Sequence, residues 1–155
     1  DLAHLIYSAR LVNDAQPGFV VELVRHALQG ELAGKRIAAL GLAYKPDVDD
    51  LRESPAIEAA QLLAKAGAYV SAYEPFNRGQ LIAGVQLMPT LEQALAEADL
   101  VLLLVNHTQF RLINPDLIAQ HTPARRVVDA VGSMETAAWE AAGFQFFRLG
   151  DGKSL

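Results

Sequence analysis

The run LVLLLV at residues 100–105 is apolar at every position. A strand with one face in water alternates apolar and polar side chains, so an unbroken run of this kind belongs to a strand buried on both faces, in the middle of a parallel sheet. Parallel neighbours cannot be joined by a tight hairpin. They need crossovers, which are usually helices, so the rest of the chain has to alternate strands with helices.

It does so. RIAAL at 36–40 reads as a second buried strand and AYVSAYEP at 68–75 as a third, with further strands over 126–130 and 144–148. Between the first two, Ser54 and Pro55 supply an N-cap and a first helical position for a helix carrying Ala59, Leu62, Leu63 and Ala66, and Gly67 ends it. TLEQALAEA, 90–98, opens with Thr90 and Gln93 in capping-box spacing. Short helices are expected over 109–121 and 134–142. The fold class is therefore α/β, doubly wound, with a mostly parallel sheet.

A long helix precedes it. Leu2, Leu5, Ile6 and Ala9 repeat in phase with Val20, Leu23, Val24 and Ala27, because the two sets are separated by a whole number of turns. A single helix over 2–29 would be about 42 Å long, more than one small domain covers, so part of its stripe is expected to pack on something else. Pro17 is expected to kink it, since proline removes a backbone donor and crowds the preceding turn. Asn13 falls in the apolar stripe, where it either fixes the helix register or turns toward a ligand.

Composition excludes several classes of function. A net charge of −5 argues against a nucleic-acid or anionic-membrane surface, both of which need clustered Lys and Arg. No apolar run approaches the roughly 18 residues that span a bilayer, and the N-terminus has no signal-like pattern, which reads as a cytoplasmic protein. Cysteine is absent, so the chain has no disulfide, thiolate metal ligand or thiol nucleophile. His4, His26 and His121 stand at no metal spacing and read as structural.

The chemistry concentrates in GLAYKPDVDDLRESPA, 41–56. It occupies the turn after the first strand, where open α/β sheets hold their ligands, yet Ala43 and Pro46 stand where a GxGxxG turn would have glycines. Tyr44, Lys45 and Arg52 could meet a phosphate-bearing ligand, or the two cations could neutralise Asp47, Asp49, Asp50 and Glu53 in a solvated loop. An EF-hand reading fails, because Leu51 and Arg52 occupy positions that need an oxygen ligand and a glycine. Glu74 ends the second strand where dinucleotide folds place a ribose-binding acid. His107 follows the central strand, as a surface, capping or cleft-facing residue.

GLAYKPDVDDLRESPA resembles the start of the C-terminal domain of the UDP-glucose/GDP-mannose dehydrogenase family, where a strand is followed by an aromatic-Lys pair and a D-x-R-x-S-P turn. ARLVNDAQP at 9–17, EP at 74–75 and VVDA at 127–130 extend the likeness over nearly the whole chain, and DLRESPA with VNHTQF is most similar to its UDP-N-acetyl-D-mannosamine branch. The resemblance implies a central dimerisation helix over 1–30 and a C-terminal UDP-sugar-binding, Rossmann-like domain over 31–155. It places UDP-sugar contacts on Tyr44 and Lys45 and an NAD contact on Arg52. The reaction implied is oxidation of a UDP-hexosamine to the uronic acid with two NAD, in a homodimer.

Two departures stand out. The family's catalytic cysteine and its N-terminal NAD-binding domain are missing, so a fragment without a catalytic residue, inactive alone, is expected. Val131 stands where related enzymes carry a basic substrate contact. A nucleotide-sensing or dimerisation module without catalysis is the alternative, and an upstream cysteine in a glycine-rich segment would decide between them.

Overall fold

The computed structural model describes residues 1–152. The elements are α1 (Leu2–Ala27), β1 (Arg36–Leu40), α2 (Pro55–Lys65), β2 (Tyr69–Tyr73), β3 (Val85–Leu87), α3 (Leu91–Leu95), β4 (Leu100–Leu103), α4 (Thr108–Arg111), α5 (Pro115–His121), β5 (Arg126–Asp129), α6 (Thr136–Ala141) and β6 (Gln145–Arg148). The six strands form one sheet in the order β3-β2-β1-β4-β5-β6, and every pairing between neighbours is parallel.

Alternation along the two central strands divides the core in two. Ile37 and Ala39 of β1 join Leu100 and Leu102 of β4 beneath α1 and α2. Ala38, Leu40, Val101 and Leu103 face Leu95, Phe110, Ile118 and Trp139 from α3 to α6 on the other side. Helices therefore cover both faces of a parallel sheet, which is the doubly wound arrangement expected from LVLLLV. All eight of those strand residues are at most 1% exposed.

Local signals act where the sequence puts them. Ser54 Oγ accepts from Ile57 N at 3.4 Å with Pro55 at N1, and Gly67 leaves α2 at φ +97. Thr90 Oγ1 caps α3 by accepting from Gln93 N at 3.2 Å. Gln93 returns no bond to the Thr90 backbone; its Oε1 accepts from the Thr90 hydroxyl at 3.4 Å. The short helices expected over 109–121 are α4 and α5, separate because Asn114 caps a new start and Pro115 takes N1. Strand β3, three residues long, lies in a segment from which no element was expected.

The helix α1 runs through a buried Pro17 to Ala27, but its stripe has two fates. Val20, Leu23, Val24 and Ala27 are buried in the core under α2, whereas Leu2, Leu5 and Ile6 are 72%, 65% and 61% exposed. Asn13 lies in the exposed half and is itself exposed, so it fixes no register within this chain. Among the described residues no helix is long and apolar enough to cross a membrane.

Candidate functional site

The strand order reverses between β1 and β4, and ligands of open α/β sheets bind at such a reversal, beyond the carboxyl ends of the strands. A cleft of about 1160 Å³ opens there. Ala43, Leu104, Val105 and Ala130 line it from the ends of β1, β4 and β5, and Ile6, Arg10, Asn13 and Pro17 line it from α1. The start of α2 points into the same space, with Ser54, Pro55 and Ala56 among the lining residues.

The turn between β1 and α2 is built against its neighbours. Gly41 has φ +88, and a Cβ there would lie 2.6 Å from Val105 Cβ, so only glycine fits. Leu42 N and Ala43 N donate to Glu74 Oε2 at 2.7 and 3.0 Å. Ser54 Oγ donates to Leu42 O at 2.7 Å, and Tyr44 N donates to Asp50 O at 2.8 Å. Asp47 takes the left-handed region at φ 60, its N–H donates to His107 Nδ1 at 2.8 Å, and its carboxylate accepts from Thr108 N and Oγ1 at 2.8 and 2.7 Å. His107 Nε2 completes the chain to Glu74 Oε2 at 3.0 Å.

Glu74 and His107 are 1% and 0% exposed. Burial pushes the Glu74 carboxyl up, but the bonds from His107 and from the Leu42 and Phe76 N–H groups more than offset it and hold the carboxyl below its ordinary value. Asp47 is held low by the Thr108 backbone and hydroxyl, and Asp50 is lowered to about 2 by its bonds with Arg52.

Of Tyr44, Lys45 and Arg52, Tyr44 alone lines the cleft, and Asn13, offered as a ligand-facing residue, lines it from α1. Lys45 stands beside it on the same turn, its Nζ 5.8 Å from the Tyr44 ring centroid. Arg52 turns to Asp50, with Nε to Oδ1 and Nη2 to Oδ2 both at 3.0 Å, and its side chain is 88% exposed. Val131 lines the cleft. The sequence reading missed Arg10 and Asn106 as lining residues; ARLVND was quoted only for its likeness, and the helical period would have placed Arg10 one turn from Ile6. Glu74 does not stand free for a ribose hydroxyl, because its oxygens are taken by four donors.

The turn therefore does not fit a dinucleotide held in the usual way, since the N–H groups that would cradle its pyrophosphate already face a carboxylate. Among the described residues no group of three His, Cys, Asp or Glu side chains could hold a metal ion.

Residues 38–136 match the family described as the UDP-glucose/GDP-mannose dehydrogenase family, UDP binding domain. The UDP-N-acetyl-D-mannosamine dehydrogenase of Escherichia coli K12 is 41% identical over 140 residues, which covers 84% of this chain and 32% of that protein. Two solved structures superpose closely. The NDP-N-acetyl-D-galactosaminuronic acid dehydrogenase of Methanosarcina mazei does so at a TM-score of 0.84 and 26% identity, over 92% of this chain and 30% of that one. The UDP-D-ManNAc dehydrogenase of Pyrococcus horikoshii does so at 0.83 and 28%, over 97% and 34%. The chain thus spans about a third of the length of the relatives it matches.

Proposed function

The chain belongs to the UDP-glucose/GDP-mannose dehydrogenase family, and from that premise we propose that it forms the nucleotide-sugar-binding part of a UDP-sugar 6-dehydrogenase. The observation that carries this reading is the cleft at the strand reversal, with Tyr44 in its lining and Lys45 beside it. The family's aromatic-Lys pair falls on these two residues, which supports a UDP-sugar site at this turn. Tyr44 offers a flat face to a base or sugar, and Lys45 a cation to the diphosphate.

Similarity to the UDP-N-acetyl-D-mannosamine dehydrogenases favours that UDP-hexosamine as substrate, oxidised at its 6-hydroxymethyl group. NAD would take the hydride. Because the β1 turn is closed to a dinucleotide by Glu74, NAD has to be held by sequence other than these residues, with Arg52 reaching it from the outside of the turn. The thiol on which the family's chemistry runs is likewise absent, since the chain has no cysteine.

Titrating UDP and NAD separately into the chain by calorimetry tests the assignment. UDP is expected to bind and NAD to give no heat; saturable NAD binding without UDP binding would overturn it. The exposed half of α1, with Leu2, Leu5 and Ile6, is the surface through which we propose a homodimer. In sedimentation Leu5→Glu should shift a dimer to monomer, because it places a charge in an apolar contact.

A further inference from the structure

Outside the cleft lining, Glu74 and His107 form a group of buried polar side chains beneath the β1 turn. Glu74 ends β2, His107 follows β4, and the turn that both touch follows β1, so the pair joins three adjacent strands at their carboxyl ends. Glu74 Oε2 receives three hydrogen bonds, from Leu42 N, Ala43 N and His107 Nε2. In a glycine-rich turn of this fold the corresponding N–H groups point at a ligand phosphate. Here an anion of the protein itself takes them.

The proton on His107 follows from its partners. Asp47 N–H can only donate, so Nδ1 accepts and carries no hydrogen, and Nε2 carries the hydrogen that goes to the Glu74 carboxylate. Phe76 and Phe110 pack on the ring at 5.0 and 5.5 Å. Glu74 and His107 are 1% and 0% exposed, so these hydrogen bonds take the place of solvation for both groups.

We infer that Glu74 and His107 form an internal strut that fills the phosphate seat of the β1 turn, and that His107 is through it the positioning residue that holds Tyr44 to Arg52 in place. Asp47, a non-glycine residue at φ 60 whose N–H His107 accepts, is the conformation such a strut has to hold, since the left-handed region is costly for it. The consequence for binding rests on the nucleotide-sugar reading above.

Nitrogen-15 spectra of the full chain, with amide exchange on the wild type, His107→Gln and His107→Phe, test it. The wild type should show hydrogen on Nε2 only and a protected Asp47 amide. In His107→Phe that amide should exchange roughly tenfold faster, as for the loss of one hydrogen bond, and the Tyr44 to Arg52 resonances should move while those of β4 and β5 stay. His107→Gln, which keeps a donor beside an acceptor, should restore protection. Hydrogen on Nδ1, or a folded His107→Phe chain with an unaltered Asp47 amide, overturns the strut. UDP titrated into the same samples should follow the same order, weaker in His107→Phe and recovered in His107→Gln; binding unchanged with the turn released overturns positioning. If the wild type takes up no UDP while the tautomer and exchange results hold, the nucleotide reading fails and the strut stands.

Discussion

Two turns at the carboxyl edge of the sheet solve one problem with different parts. After β5, Asp129 accepts from Val131 N, Gly132 N and Met134 N at 3.1, 2.8 and 2.9 Å and pairs with Arg148 at 3.3 Å. After β1, the carboxylate comes from the neighbouring strand, Glu74, and its side-chain partner is the neutral ring of His107 from a third strand. Each buries an anion to satisfy a turn's backbone donors, which would otherwise be left without partners. One brace reaches along its own chain segment, and the other across the sheet. The long-range brace holds the β1 turn from inside, so the side chains of Tyr44 and Lys45 take no hydrogen-bonding part in it.

The sharpest test removes each carboxylate. Asp129→Ala strands three N–H groups and removes the partner of Arg148, whose side chain is 32% exposed and keeps its bond to Met134 O, so the loss should lie at the low end of the about 3–5 kcal/mol that breaking a buried ion pair from one side costs. Glu74→Ala strands only neutral donors and should cost about 1–3 kcal/mol. Urea unfolding followed by circular dichroism measures both. A larger loss for Glu74→Ala would mean that the long-range brace carries the greater part of the fold and that the comparison runs the other way.

The same contrast separates what could be read in the sequence from what could not. LVLLLV announced a two-faced central strand because burial alone dictates that composition, and Ser54-Pro55 announced a helix start because capping is decided within one turn. Strand β3 left no such mark: at three residues it is too short for a period, and pairing with β2 rather than its own side chains makes it a strand. For His107 the sequence favoured a surface or capping role over a cleft-facing one, and the ring is instead fully buried. Its partners lie 33 and 60 positions away, and only the sheet order brings them together. The apolar stripe of α1 was legible in phase but not in fate, since what covers a helix is a property of its neighbours.

If the β1 turn is freed for binding, its cation should matter to ligand and not to stability. Lys45→Ala removes one charge-assisted contact, worth about 1.5–3 kcal/mol, so UDP should bind roughly one to two decades more weakly. Val131→Ala, on the other turn, should leave the UDP dissociation constant within a factor of about two, since a shortened apolar side chain loses little contact. Calorimetry on the two variants compares the turns directly. A larger effect at Val131 would move the ligand toward β5.

A smaller effect concerns acid. Glu74 is held below its ordinary value of 4.5, so between that value and its lower folded value the unfolded chain binds more protons than the folded one. Stability should therefore be fully present above about 4.5 and fall as pH drops through the folded value. Asp47, held low by Thr108, acts in the same sense. Glu74→Gln removes the buried one of these two carboxyls, so a plot of unfolding free energy against pH should be shallower on its acid side. An unchanged slope would mean that the strut survives protonation.

The smallest expected effect is at the most conspicuous ion pair of the turn. Arg52 and Asp50 meet in a two-point contact, but the arginine side chain is 88% exposed, and a pair in water is screened by solvent and salt. Arg52→Ala should leave the urea midpoint within the reproducibility of the measurement, at low and at high salt alike. If the chain works within an NAD-dependent dehydrogenase, as proposed above, the same variant of that enzyme should raise the Michaelis constant for NAD more than that for the sugar, since a lost contact shows in the constant of the ligand that made it. A salt-sensitive fall in the midpoint, comparable to that of Glu74→Ala, would show the turn to be held by its surface charges, and the division between a bracing carboxylate inside and ligand-facing cations outside would be lost.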